Sequence, residues 1–440
     1  MSILFRAGRR DHEVVRPRAD RPAPSPTVAA TVPLAEVFTP TRPKIGDQRL
    51  TGRGAELQKI LGALLEEHAH VVLYSERGRG KTSLSNSVIA ALRQHEVAVA
   101  RYTCDAASTY EDIIRGLLRD LPASMLAVAA TSQSAQGCAA ALPDGPLQPY
   151  DVVSMPGRLT CPFLVCVIDE FDRLRNAVVR TQFADTIKQI SDRGVRMLFM
   201  LVGVSDSLEQ MLGEHQSIQR NLVALPLSLL SDERVGGLVA HGAAEAGLEI
   251  APPLAARIAA LSRGMPYMAQ LLALRVAQAT ALRGSTRATE ADLRCAAERL
   301  VDEAEPRVLS LYAVLTHHGA DAAAVDALHV VATAEQDAFG RIQVHGDAGS
   351  VRVGGGLVPA GCWQRMLDAG VVNAGLPDSP LVSVSDRSLI NHALMRGVLA
   401  RRPYASPAAI ASMPGDAASA AMPDDAAMPA MLHVAATPAH

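Results

Sequence analysis

The sequence predicts an α/β fold: a parallel sheet covered by helices, followed by an all-helical lid and a small α+β C-terminal unit. Three observations predict it. Mostly apolar runs of strand length, VVLYS (71–75), VAVARYTC (97–104), FLVCVID (163–169), RMLFMLVGVS (196–205) and LVALPL (222–227), are separated by longer segments. Runs that are apolar on both sides of the pleat suit strands of a parallel sheet sandwiched between helical layers. After Leu230 such runs give way to successive helix signals, and beyond residue 306 strand and helix patterns mix again.

Residues 1–47 are rich in proline and arginine with little periodicity, and read as a flexible N-terminal arm. Its six arginines before position 22 leave nucleic-acid contact as the other reading. Residues 48–228 make the sheet domain. In LTGRGAELQKILGALLEE, Leu57, Ile60, Leu61, Leu64 and Leu65 share one helical face. The strand at 71–75 leads into ERGRGKTSLSNSVIAALRQH, which switches to helical period, and residues 110–121 form the helix after the second strand. Residues 123–160, rich in Ala, Ser, Gly and Pro, read as a long loop or insertion with no core of its own.

The lid covers 229–304. Ser231, followed by Asp232 and Glu233, is an N-cap with first-turn acids. Helices follow over 253–261, 266–282 and 289–304, the last opened by Thr289 and Asp292 at capping-box spacing. The C-terminal unit, 305–402, reads as helices at 307–316 and 321–338, a hairpin through RIQVHGDAGSVRV, a helix near Trp363, a strand at 381–384 and a helix at 386–399. Residues 403–440, dominated by Ala, Pro and Met, read as a disordered tail.

The strongest chemical signal is Ser75-Glu76-Arg77-Gly78-Arg79-Gly80-Lys81-Thr82-Ser83. It matches the phosphate-loop pattern GxxxxGK[ST] except that Ser75 replaces the first glycine, and it lies between a strand and a helix as that mechanism requires. Glycines let the backbone wrap a phosphate, and the helix N-terminus supplies partial positive charge. Lys81 would reach the β- and γ-phosphates of ATP, and Thr82 would ligate Mg²⁺. Lysine is rare here: only Lys44, Lys59, Lys81 and Lys188 occur. The strand at 163–169 ends in Asp169-Glu170, which supplies a second Mg²⁺ ligand, Asp169, and a base for the attacking water, Glu170. Ser205, after the next strand, is a polar candidate near the γ-phosphate. Arg220, just before the last strand, is either a transition-state arginine given to a neighbouring subunit or a surface ion-pair residue.

Together, Thr51-Gly52-Arg53, the loop 76–84, Asp169-Glu170, Ser205 and Arg263-Gly264-Met265-Pro266 resemble the AAA+ superfamily over roughly 50–300. The resemblance implies ATP bound between sheet and lid, with nucleotide state moving the lid. In many members an arginine follows the GxP of the lid. This chain has Tyr267 there, with Arg263 the nearest substitute. The C-terminal unit resembles a winged helix, although its eight arginines are matched by eight acids.

Composition narrows the function classes. A net charge of −3 and 49% apolar residues exclude a polybasic nucleic-acid-coating chain. No apolar run approaches the roughly 20 residues needed to span a bilayer, and the arginines and acids at the start do not form a signal peptide. A cytoplasmic protein is expected. Six scattered cysteines without a CxxC pair indicate neither a zinc site nor a disulfide framework. The leading expectation is a slow ATPase that acts as a conformational switch on a partner macromolecule, an unknown protein or DNA, with a homo-oligomer also possible. The alternatives are an ATP-dependent DNA-binding initiator or transposition ATPase, and an oligomerising signalling or defence ATPase.

Overall fold

In the computed structural model, the described residues are 33–40, 52–125, 137–161, 163–205, 211, 216–347, 349–373 and 379–402. Most of the expected arm and the whole expected tail lie outside them. The first sheet comprises β1 (His70–Tyr74), β2 (Ala98–Thr103), β3 (Leu164–Asp169), β4 (Met197–Gly203) and β5 (Leu222–Pro226). Its order is β2-β3-β4-β1-β5, with every neighbouring pair parallel. All five strands lie where the apolar runs predict them.

Alternation along the strands divides the core in two. On one face Val71, Leu73, Val165 and Val167 pack with α2 (Gly54–Leu65) and α3 (Lys81–Gln94), through Ile60, Leu64, Leu84 and Val88. On the other, Val72, Cys166, Ile168 and Phe199 pack with α4 (Tyr110–Arg119) and α6 (Ala177–Arg193). Phe183 of α6 anchors that face, with its ring edge-on to Tyr110, Phe171 and Phe199 at 5.0, 5.5 and 5.8 Å.

Two expectations for this domain change. The short α1 (Leu34–Val37), within the expected arm, is packed: Val37 and Phe38 are buried, and Thr39 N–H donates to Gln270 Oε1 at 2.8 Å. The described part of 123–160 is not a bare loop. It holds a 3₁₀ turn at Gly137–Ala141 and α5 (Pro149–Val153), and its Cys138, Leu142, Leu147, Val152 and Met155 extend the sheet's own core. Low apolar density hid this, because a few side chains spaced along a polar segment suffice to dock it.

Helices α7 (Asp232–Glu245), α8 (Pro252–Ser262), α9 (Pro266–Leu282) and α10 (Glu290–Asp302) follow. Ser231 Oγ accepts from the Arg234 amide, and Thr289 with Asp292 closes a reciprocal capping box. The C-terminal α+β unit contains α11 (Pro306–Leu315), α12 (Ala322–Thr333), β6 (Arg341–Asp347), β7 (Ser350–Val353), β8 (Gly356–Pro359), α13 (Ala360–Asp368), β9 (Val372–Asn373), β10 (Leu381–Val384) and α14 (Arg387–Leu399). Its strands form an antiparallel sheet in the order β8-β7-β6-β10-β9. The second helix stops at Thr333 rather than 338. Residues 334–340 instead make a turn held by the phosphate loop, the α8–α9 junction and the segment after β5: Arg79 donates to Phe339 O at 2.6 Å, Arg263 to Ala334 O, and Leu229 N–H to Ala338 O at 2.8 Å. Among the described residues no helix is long and apolar enough to cross a membrane.

Candidate nucleotide site

The loop leaves the carboxyl end of β1. Ser75 N–H continues the ladder toward Gly203 O, and Ser75 Oγ donates to Glu76 O at 3.0 Å. Gly78 and Gly80 have φ of 80° and 90°, a region that glycine enters without Cβ strain. Ser75 keeps a negative φ, so serine replaces the first glycine without that strain. Gly80 caps α3 without any side-chain hydrogen bond, so the first amides of the helix face the loop rather than a capping side chain. Lys81 Nζ donates to Ser75 O at 2.7 Å and Glu76 O at 2.8 Å, which draws the loop around the ammonium. Burial lowers its pKa to about 8, with Asp172 the largest opposing influence.

A cleft of about 610 Å³ lies over this loop, lined by Arg77, Lys81, Thr82, Asp169, Glu170 and Tyr267 among others. That volume suits a nucleotide-sized ligand. The strand carrying Asp169 is not beside β1, because β4 lies between them. The cleft nevertheless joins the carboxyl ends of all three strands. Asp169 Oδ1 accepts from Glu170 N–H at 3.0 Å, and Oδ2 pairs with Arg101 at 2.8 Å. Glu170 has φ 54°, and its half-exposed carboxylate pairs with Arg173 at 2.7 Å. Asp172 Oδ1 accepts from Val204 N–H at 2.8 Å, tying the loop after β3 to the loop after β4.

Thr82 and Asp169 offer hard oxygens in one cleft, which fits Mg²⁺. Among the described residues no group of three or more His, Cys, Asp or Glu forms a metal cage.

Several expected residues face elsewhere. Glu76 and Arg79, expected to bind nucleotide, turn their side chains away from the cleft. Buried Arg79 donates to Leu227 O at 3.2 Å and Phe339 O at 2.6 Å, and pairs with Glu76 at 2.9 Å. Glu76 also takes Arg387 of α14 at 3.1 Å. Arg263 does not substitute for a lid arginine, because its guanidinium donates to Ala334 O. Ser205 is buried two residues beyond β4, while Gly203 and Val204 line the cleft. Arg220 lies at the amino end of β5, opposite the loop, 75% exposed and 3.8 Å from Asp192. Within one chain it does not reach the cleft.

Sequence reasoning missed Arg101, Arg173 and Arg387 as parts of this surrounding. Arg173 stands at i+3 from Glu170 and was open to view; the other two meet their carboxylates across 68 and 311 residues.

Residues 49–200 match the AAA ATPase domain family. Among solved structures, the Walker-type ATPase paby2304 of Pyrococcus abyssi superposes with a TM-score of 0.50 at 15% identity, over 82% of this chain and 99% of that one. Cdc6p from Pyrobaculum aerophilum gives 0.44 at 16%, over 83% and 98%. The Thermotoga maritima RuvB Holliday junction branch migration motor gives 0.40 at 18%, over 60% and 76%. At these identities the likeness concerns the fold. Comparison with curated proteins gives no match. Residues 49–200 are thus similar to the AAA ATPase domain family, and the likeness to solved structures extends to the P-loop ATPase fold.

Proposed function

We propose that the chain binds and slowly hydrolyses ATP, and that its C-terminal unit senses the nucleotide through the back of the phosphate loop. One observation carries the coupling. Arg387 of α14 donates to both Glu76 carboxylate oxygens, at 3.1 and 3.4 Å, while Arg79 from the same loop reaches Phe339 O in the turn before β6. The loop that would cradle the phosphates is thus the loop that holds the C-terminal unit. Any shift of its backbone on phosphate binding strains these charge-assisted bonds.

In this reading Lys81 and the α3 amides hold the phosphates, and Thr82 and Asp169 hold Mg²⁺, which when bound neutralises charge on the β- and γ-oxygens. Glu170 orients the attacking water once Arg173 releases it. Arg220 acts only from a second copy, since its place at the far end of the sheet and its exposure leave it available to a neighbour.

The partner proposed is a protein. Six of the eight arginines between residues 306 and 402 (Arg307, Arg341, Arg352, Arg365, Arg387 and Arg402) are ion-paired within the chain. That leaves little free positive charge for a phosphate backbone. Phosphate release by wild type and Glu170→Gln tests hydrolysis: a wild type no faster than the variant contradicts it. Salt-sensitive, ATP-dependent binding to duplex DNA would contradict the choice of partner.

A further inference from the structure

The carboxylate proposed to hold Mg²⁺ is already held by a cation. Arg101 stands on β2 in register with Val167 of β3, two residues short of Asp169. Its Nη2 donates to Asp169 Oδ2 at 2.8 Å and its Nη1 to Asn86 Oδ1 of α3, also at 2.8 Å. The other Asp169 oxygen accepts from the Glu170 amide. The pair is not a surface ornament: the Asp169 side chain is 7% exposed and that of Arg101 35%. Arg101 Nε is buried without a hydrogen-bond partner among the described residues, so the guanidinium is not fully satisfied where it sits.

Electrostatics then fixes the sign of the effect. A metal ligand must present negative charge, and a guanidinium on one oxygen cancels much of it. A divalent ion at Asp169 must either displace Arg101 or tolerate a positive neighbour a few ångströms away. Asn86 offers a tether that keeps the guanidinium close after displacement, and it comes from the same helix that begins at Lys81.

We infer that Arg101 competes with the divalent cation for Asp169, so that nucleotide binding depends only weakly on metal. The inference rests on the nucleotide site proposed above. It makes Arg101 a threshold on metal loading rather than a support for it. A residue that merely orients Asp169 toward the metal would have the opposite effect when removed.

The test measures affinity rather than turnover. A fluorescent ATP analogue is titrated into the full chain with EDTA and with Mg²⁺, and the ratio of the two Kd values is compared between variants. Arg101→Ala should raise that ratio about tenfold, as expected for removing one charge next to a partly buried ion site. Arg101→Gln, which keeps a hydrogen-bond donor and serves if the alanine variant does not fold, should raise it in the same direction. Adding Asp169→Asn should cancel the gain. An unchanged or lowered ratio in folded Arg101 variants overturns the inference while leaving the nucleotide site intact. Failure of wild type to bind with or without metal overturns the site itself, and the inference with it.

Discussion

The two sides of the phosphate loop are built for different tasks. The side facing the cleft, with Lys81 and Thr82, is local: a strand, two glycines in the left-handed region and a helix N-terminus within a few residues. The side facing away, with Glu76 and Arg79, is long-range, and its partners Leu227, Phe339 and Arg387 come from 148 to 311 residues later. A short motif carries the first arrangement, whereas the second depends on contacts that the whole fold brings together. On the proposed reading, the front holds the nucleotide and the back passes its state to the C-terminal unit.

Removing the front should produce the largest effect. Lys81→Ala is expected to abolish measurable ATP binding, read by calorimetry, with the fold retained by circular dichroism. Glu170→Gln should keep binding and lower phosphate release by about 100-fold, the scale of a lost general base. At the back, Arg387→Ala leaves Glu76 with Arg79 alone. It should cost about 2 kcal/mol of stability, below the roughly 3–5 kcal/mol of a fully buried pair because Glu76 is partly exposed, and should speed nucleotide release in a stopped-flow chase. A smaller effect, away from both sides, is expected for Thr289→Ala, which removes a cap on α10 at a cost of about 1 kcal/mol in urea denaturation.

Acid acts on the sheet itself. His70 starts β1, is 1% exposed, and accepts from Phe199 N–H through Nδ1; burial lowers its pKa from 6.5 to about 4. The unfolded chain therefore takes up a proton at His70 between pH 6.5 and 4 while the folded chain does not. Stability should fall across that window and level off below it, by about 3 kcal/mol from this group. His70→Gln should flatten the slope measured by urea titration at several pH values.

How much of this was legible in the sequence follows the same division. The strands were, because Val, Ile and Leu runs such as LVCVID have no exposed face to interrupt them. Helix α6 was not, because its polar residues dilute Val179, Phe183, Ile187 and Ile190 until only their spacing betrays the buried stripe. The loop motif identified Lys81, Thr82, Asp169 and Glu170 as neighbours, and they do line one cleft. It assigned Glu76 and Arg79 to the nucleotide as well, because a pattern records positions and not the direction in which side chains turn. Arg101 and Arg387 carry no local mark, since an arginine's role depends on which carboxylate the topology brings to it. The insertion at 137–159 and the segment at 33–40 join the core through scattered apolar side chains that composition alone does not separate from loop.

The coupling of the loop's two sides is tested most directly by a double-mutant cycle on nucleotide release with Glu76→Gln, Arg387→Ala and the pair. The account predicts that each single change accelerates release and that the double variant is no faster than the quicker single one, giving an interaction energy of about 1–3 kcal/mol. Additive effects, or release rates equal to wild type in all three, would contradict it.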